Sequence, residues 1–193
     1  MVLVTCPGCK FCCVEDLFFS VLRERFSYSV LSPEALELVA AASPFIELGA
    51  GNGYVAWILR QIGVDIVALE AFPVEEGRNW FFNTKFGLPA KGGRSWTEVE
   101  KGTAKDLTRY SDRTLLLCWP PRNRMASNAL RFFSGDKLAL VIEKSCCANK
   151  SFFRELEQNW TLQYSYPTGS WSSCHAETFE VYTRKQSQSA TED

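Results

Sequence analysis

The chain has 193 residues, of which 46% are apolar and 22% charged, with a formal net charge of −1. Such a chain folds as one domain, or one domain with a small appendage, and needs no disulfide or metal staple. A collagen-like or wholly disordered chain is excluded, as is a global field that would recruit nucleic acid or an anionic membrane. Residues 71–135 do hold 11 Lys/Arg against 6 Asp/Glu, which suits a solvated, mildly basic face.

Residues 1–13 are cysteine-rich. Leu17, Phe18, Val21 and Leu22 then recur at helical spacing, which predicts a helix over 15–26. Ser32-Pro33-Glu34 opens a second helix: Ser caps, Pro fits the first turn and Glu suits the positive end of the dipole. From here the pattern alternates. Strands are expected at 45–49, 64–70, 96–100, 114–119 and 137–143, with helices between them at 52–62, 73–83, 103–110 and 127–133. A helix at 150–159 follows, then strands at 160–166 and 178–182 with no helix between them. Alternating units imply a mostly parallel sheet with helices on both faces. The last strand, reached by a loop, is expected to run antiparallel. Residues 1–43 read as a cysteine-rich, helical extension, 44–185 as the α/β domain and 186–193 as a disordered tail.

No uncharged apolar run approaches the ~18 residues that span a bilayer. The first residues lack a basic n-region, and Val2 excludes myristoylation. The reading is an intracellular, cytoplasmic protein with no membrane partner, whose eight cysteines are reduced thiols. Cys6-Pro-Gly-Cys9 forms one C-x-x-C knuckle, but a tetrahedral zinc site wants two such pairs. No metal is therefore expected; Cys6 and Cys9 are the candidate knuckle, and Cys146, Cys147 and Cys174 could complete it only if folding brings them close.

The stretch Glu47-Leu-Gly49-Ala-Gly51-Asn52-Gly53 joins the first strand of the sheet to a helix. Glycines there admit positive φ and let a ligand approach the backbone, at the strand ends where open α/β sheets bind ligands. A dinucleotide fingerprint needs G-x-G-x-x-G. Here the spacing is G-x-G-x-G, with Tyr54 in the place of the third glycine. Glu47 would repel phosphate and suits an ammonium group. Glu70, which ends the second strand 21 residues after Gly49, suits two ribose hydroxyls. The ligand called for has an amino group, a ribose and no phosphate, which describes S-adenosylmethionine.

These residues resemble the first motif of the class I S-adenosylmethionine-dependent methyltransferases, and Val67-Ala-Leu-Glu70 resembles their second. Ser32-Pro-Glu-Ala-Leu36, Leu116-Leu-Cys-Trp-Pro-Pro121 and the pair Trp171/His175 resemble a group of small, functionally unassigned methyltransferase-like proteins. The resemblance implies a Rossmann-like seven-stranded sheet and S-adenosylmethionine as cofactor. It places Glu47, Gly49, Gly51, Asn52 and Gly53 along the methionine moiety and Glu70 at the ribose. Adenine then falls near Gly102 and Thr103, where many relatives carry an acid. Tyr28 is either a lid over the cofactor or a core aromatic.

After the fourth strand, amino-methylating relatives carry Asp/Asn-Pro-Pro-Tyr/Phe. Here Trp119 and Arg122 stand in the flanking places, so the amine acceptor is missing. Trp119 and Pro120 are candidates for the acceptor site, Trp119 either stacking on a substrate or serving as a wall. His175, the only histidine, is a candidate general base or an ordinary loop residue, and Glu143 is a second candidate. The function expected is methyl transfer to an unidentified acceptor, with a small molecule or protein favoured over nucleic acid. The alternative is a non-catalytic binding or assembly module.

Overall fold

Ser32 Oγ accepts from the Ala35 N–H at 3.2 Å and starts α1 (Pro33–Ala41), with Pro33 in its first turn. In the computed structural model, which describes residues 22–79, 93–169, 171 and 176–186, every later element builds on one sheet. Its strands are β1 (Phe45–Leu48), β2 (Ile66–Glu70), β3 (Glu100–Lys101), β4 (Thr114–Cys118), β5 (Lys137–Ile142), β6 (Trp160–Pro167) and β7 (Thr178–Arg184), in the order β3-β2-β1-β4-β5-β7-β6. The β1, β2, β3, β4 and β5 pairings are parallel, and β7 runs antiparallel to both β5 and β6. The mostly parallel, Rossmann-like sheet is as the alternating pattern predicts.

Three further helices cover it: α2 (Tyr54–Gln61), α3 (Met125–Phe132) and α4 (Lys150–Asn159). Each has a readable start. Asn52 Oδ1 accepts from Tyr54 N at 3.0 Å, Asn123 Oδ1 from Met125 N at 2.8 Å, and Asn149 Oδ1 from Phe152 N at 2.9 Å. Strand alternation then sorts the core into two layers. Ile46, Leu48, Leu115 and Leu117 pack under α3 and α4 with Leu130 and Phe152. Phe45, Ala68, Leu116 and Phe179 face the other way, against Val39, Val55 and Leu59 of α1 and α2.

Three local expectations are corrected. The helix predicted over 73–83 is a 3₁₀ turn, Val74–Glu76, because Gly77 closes it with φ +69°; residues 80–92 lie outside the description. The helix predicted over 103–110 is also 3₁₀, Ala104–Arg109. The third strand is two exposed residues, not five, since it sits at the sheet edge and pairs only with Leu69 and Glu70. Of the helix expected over 15–26, residues 22–25 are described and are helical. Cys6, Cys9 and the tail from residue 187 lie outside the described residues.

Candidate functional site

The glycine turn after β1 is pinned to the end of β2. Gly49 N and Ala50 N both donate to Leu69 O, at 2.8 and 3.1 Å. Gly51 N donates to Glu70 Oε2 at 3.0 Å, and Phe72 N donates to Oε1 at 3.2 Å. Gly102 N, following β3, donates to Glu70 O at 3.0 Å. The residue that ends β2 thus ties three strand ends together. Gly53 is required here twice over: its φ is +74°, and a Cβ would meet Val99 Cγ2 at 2.7 Å.

Beside this turn lies a crevice of about 420 Å³, lined by Leu48, Gly49, Glu70, Thr103, Met125 and Asn128 among others. Gly102 lines it as well, so the stretch expected at adenine borders the cavity. Thr103 N and Oγ1 both donate to Asp106 Oδ2, at 2.8 and 3.1 Å, which fixes that rim. Burial pushes the Glu70 carboxyl above its ordinary range, against the pull of the Phe72, Gly51 and Ala71 N–H groups.

A second group of buried polar side chains lies at the carboxyl ends of β1 and β4. Glu47 is 1% exposed and faces the α1–α2 side of the sheet, by alternation with Ile46 and Leu48. Burial pushes its carboxyl up to about 7, opposed by a hydrogen bond with Cys118 and reinforced by Glu70. Its Oε2 has no hydrogen-bond partner among the described residues. The Cys118 thiol is driven well above its ordinary range by burial and by Glu47 and Glu177, so it is no nucleophile.

Trp119 leaves β4 in the left-handed region, φ +45°, a strain of about 1–3 kcal/mol for a non-glycine residue. Its N–H donates to Val141 O at 2.9 Å and its indole N–H to Glu177 Oε2. The Tyr28 ring lies 5.8 Å from it, so Tyr28 sits against Trp119. Pro120 is buried and its carbonyl accepts from Ala148 N at 2.8 Å. Glu143 accepts from Ser145 Oγ at 2.6 Å, while Lys144 pairs with Glu180 at 2.9 Å.

Glu177 was not singled out by the sequence. It is 3% exposed, accepts from Thr168 Oγ1 at 2.6 Å as well as from Trp119, and burial pushes its carboxyl up to about 7. The only signal was an acid directly preceding a buried strand. His175 lies outside the described residues.

The Asn52 side chain is committed to structure. Besides capping α2, its Nδ2 donates to Phe26 O at 2.8 Å and Arg25 O at 3.2 Å. Trp96 Nε1 also donates to Arg25 O, at 3.0 Å, and Trp171 Nε1 to Ser27 O, at 2.8 Å. Val30 bridges Gly169. Residues 25–30 are therefore strapped across the carboxyl end of the sheet. Asn52→Ala removes the bond to Tyr54 N and leaves the Phe26 carbonyl short of a donor, Arg25 O keeping Trp96, and is expected to cost about 1–2 kcal/mol. Hydrogen exchange should show faster exchange of amides in 25–30 and at the start of α2; unchanged protection there would refute the strap.

Among the described residues no group of three or more His, Cys, Asp or Glu side chains could hold a metal, and no helix is long and apolar enough to cross a membrane.

No protein-family model matches the chain, and no curated protein does. Solved structures do. A variant of MtNAS in complex with S-adenosylmethionine is 15% identical with a TM-score of 0.50, over 78% of this chain and 60% of that one. Magnesium protoporphyrin IX methyltransferase from Synechocystis with bound SAH is 10% identical with a TM-score of 0.47, over 92% and 89%. A Streptococcus agalactiae protein of the NADB-Rossmann superfamily is 14% identical with a TM-score of 0.48, over 82% and 71%. At these identities the likeness is one of fold alone, a mostly parallel, Rossmann-like seven-stranded sheet.

Proposed function

We propose that the chain binds S-adenosylmethionine in the crevice beside Gly49 and transfers its methyl group to an acceptor at the exit of β4. The observation that carries this is the Glu70 carboxylate, held at the crevice by the Gly51 and Phe72 N–H groups. The Gly51 and Phe72 N–H groups bond different oxygens and the Ala71 N–H also draws on the carboxylate, which with two acceptor sites per oxygen leaves capacity for a ribose hydroxyl. Glu47, 1% exposed on the α1–α2 side, stands behind the turn and outside this lining, with its Oε2 unpartnered among the described residues. A phosphate in the crevice would instead meet the Glu70 carboxylate.

When bound, S-adenosylmethionine supplies a methyl group on a positively charged sulfur whose leaving thioether is neutral, so little acid–base help is needed. The work left to the protein is alignment and exclusion of water. Trp119, fixed by its backbone and by Glu177, would form the wall on the acceptor side with Tyr28 against it.

Calorimetry on the whole chain tests the reading. S-adenosylmethionine and S-adenosylhomocysteine should bind and NAD should not; binding of NAD alone would overturn it. A second reading, a non-catalytic module, is favoured by one observation: the indole at the β4 exit is already bonded to Glu177. Cofactor binding with no methylated product from nucleic-acid, protein and small-molecule pools would select it.

A further inference from the structure

A cleft of about 890 Å³ runs between α3 and α4, apart from the crevice but touching it at Asn128, which lines both. Its lining is basic and polar: Arg124, Ser127 and Arg131 along α3, Asn149 and Ser151 at the start of α4, and Arg184 at the end of β7. Arg124 and Arg131 are exposed and make no ion pair among the described residues. Seven residues separate them, about 10 Å along the helix axis. Arg184 is spoken for by Gly135 O, Phe133 O and the Trp160 ring, so it adds only its charge. The first turn of α4, ten residues long, holds no acid, and its positive end adds to the field. The cleft's one carboxylate is Glu155.

The cleft follows the sheet from end to end. Arg124 and Asn149 flank the carboxyl ends of β4 and β5, while Arg184 N donates to Asp136 O just before β5 begins. At strand rise, the six residues of β5 correspond to about 20 Å. A compact phosphate ester would fill one end of such a channel, whereas a chain of repeated phosphates matches its length. With Phe133 buried, the lining presents no aromatic platform for bases. We propose that this cleft binds the phosphodiester backbone of single-stranded nucleic acid, without base readout. That the cleft leads the strand toward the crevice rests on the methyl-donor reading; the binding itself does not.

The test is fluorescence anisotropy of labelled oligouridylate, about 12 nucleotides long, against the whole chain at about 50–200 mM KCl. The native chain should bind with a salt-dependent affinity. Arg124→Ala/Arg131→Ala should weaken binding at least about 10-fold and flatten the slope of log K against log salt by about 1.4, two contacts at about 0.7 each. Glu155→Gln should tighten it by about 2- to 5-fold through loss of the opposing charge. No binding by the native chain at the lowest salt would overturn the proposal, as would a double variant that keeps the native affinity and slope. Calorimetry with S-adenosylhomocysteine on the same double variant should match the native chain. Oligonucleotide binding without cofactor binding sinks the methyl-donor reading and leaves the cleft standing; the reverse sinks the cleft alone.

Discussion

Glu47→Gln is expected to raise the melting temperature at neutral and alkaline pH, by a margin that grows as pH rises. The Glu47 carboxyl is moved from 4.5 up to about 7. Between those values the folded chain holds a proton that the unfolded chain has released, so stability falls with rising pH across the window. Above it, the folded state carries an ionised carboxylate in a dry site, at a cost of up to about 3 kcal/mol. Gln imitates the protonated acid at every pH. The gain should be small near pH 4.5 and reach roughly 6–12 °C above about pH 7.5, for a domain of this size. Glu177→Gln should show the same direction with a smaller gain, since its amide would turn an N–H toward Trp119 or Thr168. Thermal melts across the range decide it. A gap between Glu47→Gln and native that stays constant with pH would mean Glu47 titrates as an ordinary surface acid.

Glu70→Ala is expected to weaken S-adenosylhomocysteine binding about 100-fold, and Glu70→Gln about 10-fold. Hydrogen bonds to a charged group contribute about 1.5–3 kcal/mol each, and two that share one carboxylate do not add fully. Gln retains one acceptor oxygen in the same place. Both variants should remain folded, because Gly51 N and Phe72 N lie where the carboxylate is part-exposed and water can replace it. Calorimetry gives the ratio and circular dichroism the fold. Binding by the Ala variant within about twofold of native would remove Glu70 from the ribose.

The central strands were legible because β1, β2, β4 and β5 are apolar runs bounded by breakers such as Pro44, Gly49 and Pro120. The carboxylate at the turn was legible because residue type and spacing along one βαβ unit set it there. Glu177 was not: its partners Trp119 and Thr168 lie 58 and 9 residues away, and no local period joins them. The 3₁₀ turn at Val74–Glu76 was misread because Pro-Val-Glu-Glu is a sound helix start, and one left-handed glycine overrides it. The place of Asn52 in the glycine motif points to a ligand contact and says nothing of its side-chain partners. Only coordinates reveal that the amide faces Arg25 and Phe26.

The strap over residues 25–30 bears on how the chain is made. Ser27 leaves the ribosome 144 residues before Trp171, its hydrogen-bond partner. At about 5–20 residues per second that is a wait of roughly 7–30 s, during which Asn52 and Trp96 can already hold residues 25–26 while Ser27 still lacks its partner. The stretch from Ser27 to Val30 is therefore the last of the strap to be fastened, when Gly169 and Trp171 arrive between the final two strands.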